Sequence, residues 1–249
     1  MIHKQLLNNL RGIKAGMRKY LLSVVMERVL HSPKTSYSQS GEDMIIRHVF
    51  NALGVSNPSY IDIGAHHPFE LSNTAWFYEH GSRGINIEAN PLLMAPFLEY
   101  RKHDVNLNVG IMEEAGEMDF FIIDPPSLST FSESEAKRIE REYGYAIREI
   151  KKIPVTTVQQ VFERHLPGGH LPDFLSIDVE GFEGPIFRSI DFDTWSPTVI
   201  CCETVVFEMK GIAGKNSEIV DFLTARGYMV YADTGINTIF VKKSTWENR

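Results

Sequence analysis

Apolar positions along the chain follow two rhythms. Over the first 30 residues Leu6, Leu10, Ile13, Met17, Leu21, Val24 and Val25 recur at helical spacing with basic residues largely between them, which predicts a basic amphipathic helix. Ser32, Pro33 and Ser36 interrupt it. From Gly41 the pattern becomes alternating strand and helix, the mark of a three-layer α/β fold with a mostly parallel sheet. The spacing predicts helices over 42–53, 74–80, 91–100 and 216–226, and strands over 60–63, 84–88, 105–111, 174–178 and 198–203. Two last strands, 227–231 and 238–241, join through a turn. Between the third and fourth strands, residues 124–171 are less regular: Pro125-Pro126, a hydroxyl-rich run from Ser127 to Ser134, and a charged helix over 135–142. Such a segment inside a compact domain is a lid or binding loop, or else a solvated excursion. The chain divides into a helical arm, 1–34, and one α/β domain, 35–249, with 124–171 as an insertion.

Composition adds exclusions. At 249 residues and 43% hydrophobic, the chain can bury a full core, so disorder, collagen-like repeats and disulfide scaffolds are ruled out. Its 2 cysteines, Cys201 and Cys202, are flanked by Val199, Ile200, Val205 and Val206 and read as small apolar residues of a buried strand. No run reaches the ~18–20 uninterrupted apolar residues of a spanning helix, and the N-terminus lacks the features of a secretory signal, so the expected location is the cytoplasm.

The net charge of −7 conceals an asymmetry. Residues 1–34 carry seven Lys or Arg against one acid, Glu27, a net of +6, which leaves −13 on the body. The arm either packs on the body or on another subunit in an oligomer, or lies on anionic lipid at the inner face of the membrane. A nucleic-acid partner is not expected, because the acidic body would repel phosphates.

Every predicted strand from Tyr60 to Glu203 except the third ends in or beside an acid: Asp62, Glu88, Asp178 and Glu203. Ligands of open parallel sheets bind outside the carboxyl ends of the strands, so these carboxylates are expected along one edge, where hydroxyls or a cation would be welcome. Asp62-Ile-Gly-Ala65 followed by Glu88 resembles the nucleoside-binding half of a Rossmann-like fold, with the acid after the second strand accepting from both ribose hydroxyls. A dinucleotide would want a glycine-rich loop for its pyrophosphate. Here the loop is Gly64-Ala-His-His-Pro-Phe-Glu70, with one glycine and an added carboxylate, which suits a cofactor without phosphates. S-adenosylmethionine is such a cofactor.

At this point the sequence resembles the FkbM-type methyltransferases. The residues that carry the resemblance are Tyr37-Ser-Gln-Ser-Gly-Glu-Asp43, Tyr60-Ile-Asp-Ile-Gly-Ala-His-His-Pro68 with Ser72-Asn-Thr74, Gly84-Ile-Asn-Ile-Glu-Ala-Asn-Pro91, Arg101 with Asp104, and Leu175-Ser-Ile-Asp-Val-Glu-Gly-Phe-Glu183. The resemblance implies a Rossmann-like class I fold with a mostly parallel seven-stranded sheet, and an S-adenosylmethionine-dependent O-methyltransferase acting on sugars or natural products. It implies that Asp62, Gly64 and Ala65, with Asn73 nearby, line the methionine end of the cofactor. Glu88 would hold the ribose, and Asn108 and Val109 would lie near the adenine. The arm falls outside these blocks.

Methyl transfer from a sulfonium to an alcohol is an in-line displacement, and the protein must align the oxygen and take its proton. Asp178 and Glu180 at the tip of the fourth strand are the candidate bases, with His66 in the first loop as the titratable alternative. An Asp ending a strand also commonly caps the next helix or loop, and Glu180 or Glu183 also reads as an acceptor for backbone amides. The oxygen-rich set Asp178, Glu180 and Glu203 would suit a divalent cation such as Mg2+ better than zinc. The expected acceptor is a hydroxyl of a sugar or glycoconjugate, with 124–171 covering it. The alternatives are a natural-product hydroxyl, or a non-catalytic module that binds a nucleoside or a partner on the same fold. An amine-methylating Asn-Pro-Pro-Tyr-like motif is absent from the fourth strand, where Ile177-Asp-Val-Glu180 stands.

Overall fold

The computed structural model describes residues 35–166, 172–179, 181–208 and 211–249. The predicted arm and Glu180 lie outside the described residues. The domain over 36–249 is a seven-stranded sheet, a three-stranded sheet, a two-stranded ribbon and their helices.

The apolar runs at Tyr60–Ile63 (β1), Gly84–Ile87 (β2), Phe174–Ile177 (β7) and Val199–Glu203 (β8) form the centre of the main sheet, as their near-continuous hydrophobicity requires of strands covered on both faces. With Val105–Leu107 (β3) outside β2, and Tyr228–Asp233 (β11) and Asn237–Lys242 (β12) beyond β8, the order is β11-β12-β8-β7-β1-β2-β3. Parallel pairing runs from β3 to β8, and β12 is antiparallel to both its neighbours. Alternate strand residues feed two cores. One packs Tyr60, Phe174, Val199 and Cys201 with Ile46, Val49 and Phe50 of helix Glu42–Ala52 (α1) and Phe77 of Ala75–Glu79 (α2). The other packs Ile61, Ile63, Leu175 and Cys202 with Val158–His165 (α5), Glu183–Ser189 (α6) and Ser217–Thr224 (α7). The adjacent cysteines thus face opposite layers, both free and buried.

The sequence pattern and the structure part company after β3. The single strand expected over 105–111 is two: β3 ends at Leu107, and Gly110–Ile111 (β4) joins a second sheet of order β4-β6-β5. The break falls at Asn108, whose side-chain amide turns back to donate to the carbonyls of Glu88 (2.8 Å) and Ala89 (2.9 Å). Gly116–Ile123 (β5) and Ile147–Thr156 (β6) pair antiparallel, with Glu133–Tyr143 (α4) between them in sequence. Among its described residues the insertion therefore carries a strand, a 3-10 turn over Pro126–Leu128 and two α-helices. Pro91–Tyr100 (α3) follows β2, and a ribbon of Val205–Glu208 (β9) and Gly211–Lys215 (β10) follows β8.

Candidate functional site

The floor of the site is set where β1 and β7 end side by side. Gly64 has φ +77° and lies so close to β7's continuation that a Cβ there would stand 1.8 Å from the Asp178 carbonyl oxygen, so only glycine fits. Its amide and that of Ala65 both donate to the Ile87 carbonyl, at 2.9 and 3.1 Å. Ala65 is buried against Met94 and Phe97 of α3. The loop after β1 is thereby clamped across β2 and against β7, at the carboxyl ends of the strands.

Glu88, just past β2, is buried and fixed by two amides: Oε2 accepts from His66 N–H (3.0 Å) and Oε1 from Asn90 N–H (2.7 Å). Burial pushes its carboxyl above the usual range, and these amides pull it back. Each oxygen retains a lone pair for a further donor, which is what a pair of ribose hydroxyls requires. Asn108 joins the ends of β3 and β2 as described, and Val109 packs on the second core.

Asn90 is a residue the motif reading left without a role. Its Oδ1 caps α3 by accepting from Leu92 N–H, and its Nδ2 donates to the Pro126 carbonyl and to Ser129 Oγ, both at 3.1 Å. The hydroxyl-rich run is thus tied to the β2 end of the sheet. Ser129 also accepts from Ile123 N–H, and Ser132 caps α4.

His66 takes a left-handed backbone, φ 55°, and its Nδ1 is buried with no hydrogen-bond partner. Burial, with His67 beside it, holds the imidazole below its ordinary value, so it is neutral at pH 7. Nδ1 of His67 accepts from the amides of Phe69 and Glu70 and shapes the loop.

Asp62 lies one layer beneath the edge. Its Oδ2 accepts from the Thr74 hydroxyl (2.7 Å), on the face that also holds Tyr60. Asn73 donates to Ser176 Oγ (3.2 Å) and Cys201 Sγ (3.7 Å), across β7 and β8. Thr74 also accepts from Arg101, a fully buried guanidinium paired with Asp104 at 3.0 Å.

The other acids meet at the ends of β7 and β8. Carboxylate oxygens of Asp178, Glu183 and Glu203 lie within 4.8 Å of one another. Asp178 is exposed, Glu203 half-buried and Glu183 buried. Glu183 accepts backbone amides, the alternative open from the sequence for it or Glu180: Oε1 from Val179 N–H (2.9 Å) and Oε2 from Gly181 N–H (3.0 Å). Burial raises its carboxyl above the usual range, against these amides. The four strand-end acids thus form two groups: Asp62 with Glu88 at β1 and β2, and Asp178 with Glu203 at β7 and β8, joined by Glu183.

An apolar cavity of about 300 Å3 lies between β3, β6 and α5, lined by Leu107, Val109, Val155 and Val161.

A parallel sheet with a glycine turn after β1 and an acid after β2 is the arrangement in which α/β proteins receive nucleosides at their strand ends. The chain belongs to the Methyltransferase FkbM domain family, whose model matches residues 62–230. It is by family an S-adenosylmethionine-dependent methyltransferase. No curated protein matches it. Among solved structures it is similar to a precorrin-6y C5,15-methyltransferase from Geobacter metallireducens, with 16% identity over 78% of this chain and 85% of that one, TM-score 0.36. It is also similar to a TehB-like SAM-dependent methyltransferase from Corynebacterium glutamicum, with 8% identity over 90% and 97%, TM-score 0.43. A third is a Burkholderia thailandensis 1,6-didemethyltoxoflavin-N1-methyltransferase with S-adenosylhomocysteine bound, 11% identical over 82% and 77%, TM-score 0.39. Identities this low leave each neighbour's substrate with that neighbour. No helix among the described residues is long and apolar enough to cross a membrane.

Proposed function

We propose that this chain is an O-methyltransferase that moves the methyl of S-adenosylmethionine to a hydroxyl of a sugar or glycoconjugate. The observation that carries the reading is the group of Asp178, Glu183 and Glu203 beside Gly64: oxygen acceptors gathered next to the loop that would receive the donor. Such a group binds hydroxyls and takes a proton from one.

In this reading Glu88 accepts from the ribose hydroxyls, Asn108 and Val109 border the adenine, and Asp62, Gly64, Ala65 and Asn73 form the methionine end. The bound cofactor supplies an activated methyl and a neutral sulfur leaving group. Asp178, with Glu180 next but one along the chain, orients the acceptor hydroxyl and takes its proton as the new O–C bond forms. His66, whose imidazole burial holds below its ordinary value, is the second candidate proton acceptor of the site.

A divalent cation is part of the proposal. Asp178, Glu180 and Glu203 were the expected ligands, and Glu183 lies within reach of two of them. An all-carboxylate set fits Mg2+ or Ca2+ rather than zinc. The cation would polarise the acceptor oxygen. Undiminished activity of demetallated enzyme in excess chelator would remove it from the scheme.

The remaining partners are inferred from the sequence. The basic arm is assigned to the anionic inner face of a membrane carrying lipid-linked acceptors, with the catalytic domain on the cytoplasmic side. The decisive experiment is calorimetry with S-adenosylhomocysteine, followed by a mass-spectrometric screen for methyl transfer to sugars and glycolipids. We expect binding and a methyl ether product. Absence of binding, or methylation of nitrogen alone, would overturn the reading.

A further inference from the structure

One row of the main sheet breaks the apolar rule. In register across neighbouring strands stand Asn106 of β3, Asn86 of β2, Asp62 of β1 and Ser176 of β7, on the face whose other positions are Tyr60, Phe174 and Val199. Asn86, Asp62 and Ser176 are buried. An ionised carboxylate there is costly without a cation or donors.

Arg101 supplies the cation. It has no exposed surface, and all its nitrogens are used: Nε on Asp104 (3.0 Å), Nη1 on the Pro68 carbonyl (3.0 Å), Nη2 on Tyr60 Oη (2.7 Å), Thr74 Oγ1 (3.1 Å) and Asn86 Oδ1 (3.3 Å). Asp104 also accepts from Gly84 N–H, Tyr60 and Asn86, so it is anchored independently of Arg101. Two of these bonds reach the loop after β1. Pro68 is its middle, and Thr74 is its end, where its hydroxyl donates a hydrogen bond to Asp62.

We propose that Arg101 is a positioning residue for methyl transfer: through Pro68 and Thr74 it holds the loop over residues 64–74 in its receiving shape and keeps the Thr74 hydroxyl on Asp62. The proposal rests on the reading in which that loop and Asp62 receive the methionine end of the cofactor.

The charged and titratable groups facing Asp62 are Arg101 and Asp104 from the connection after α3, Glu88 beyond β2 and Cys201 of β8; Thr74 and Ser176 offer hydroxyls. Burial pushes the Asp62 carboxyl up, while the Thr74 hydroxyl and the Arg101 charge pull it down. Removing either influence moves its titration to higher pH, and binding of a cationic amino group is lost when the carboxylate takes a proton.

The test is the affinity for S-adenosylhomocysteine, by calorimetry from pH 8 down to acid unfolding, for wild type, Arg101→Gln, Arg101→Lys and Thr74→Val. Arg101→Gln should weaken binding and shift its acid-side loss to higher pH by ~1 unit or more, the scale of a neighbouring charge. Thr74→Val, a near-isostere that leaves the Arg101–Asp104 pair in place, should shift it in the same direction and at least as far, the Thr74 hydroxyl being the stronger of the two influences. Arg101→Lys, which keeps the charge but not the fork, should weaken binding about tenfold at the wild-type pH midpoint. If Arg101→Gln does not fold, Thr74→Val and Arg101→Lys decide the matter. Affinities that fall in parallel at every pH, with no shift in Arg101→Gln or Thr74→Val, would make Arg101 a purely structural residue. No binding by the wild type would instead overturn the cofactor reading beneath it.

Discussion

Two acidic groups share one sheet and are finished in different ways. Around Asp62 much of the polar surface is spent on its own network: Arg101 pairs with Asp104, and Tyr60, Thr74 and Asn86 add hydrogen bonds within it. Around Asp178, Glu183 is buried and held by two amides of its own turn, Glu203 is half-buried, and Asp178 stands exposed at the tip of β7. A network closed on itself is rigid and expensive to open, whereas carboxylates left at the surface can exchange partners with a ligand. One group is built to hold a shape and the other to be reached.

The contrast breaks most visibly at Asp178. Asp178→Asn should cut methyl transfer by ~10²–10⁴-fold, the range of a general base, while affinity for S-adenosylhomocysteine stays within a few-fold. Single-turnover assays and calorimetry read the two quantities, and lost affinity with intact turnover would place Asp178 with the cofactor instead. At the closed group the expected effect is on stability. Asp104→Ala strands a buried guanidinium and should lower unfolding free energy by ~3–5 kcal/mol in urea titrations; a loss under ~1 kcal/mol would mean water enters the network. Smaller still is Glu88→Gln, expected to weaken S-adenosylhomocysteine ~10–100-fold through loss of charge-assisted hydrogen bonds. Unchanged affinity there would remove the ribose assignment.

The core strands were legible because β1, β2, β7 and β8 are short apolar runs between turn residues, and a fully buried parallel strand leaves that trace. β6 left none: residues 148–152 are exposed and mostly charged, so neither alternation nor an apolar run marks the strand. β3 and β4 merged into one expected strand because Asn108 looks like a strand residue until its amide is seen folding back onto β2. The site was legible as residue types at strand ends. What the types could not convey was direction. Asp62 stands next to the end of its strand in sequence, yet its carboxylate turns toward Thr74 on the face that holds Tyr60, because a residue's parity along a strand selects its face. Asn90 was hidden for a related reason. It looks like an ordinary helix cap, and its second bond is to a segment far along the chain.

That second bond bears on how the protein can be re-engineered. The turn over Pro126–Leu128 is fastened to the same asparagine whose amide orients Glu88, so the insertion is not an interchangeable cassette clipped to an indifferent scaffold. A chimera that imports another relative's loop to change the acceptor would carry its disturbance into the nucleoside end unless the donor segment brings both a carbonyl and a hydroxyl to meet Asn90. In the proposed roles, acceptor range and cofactor affinity are linked through one residue, Asn90, whose backbone amide holds Glu88 and whose side-chain amide holds the insertion.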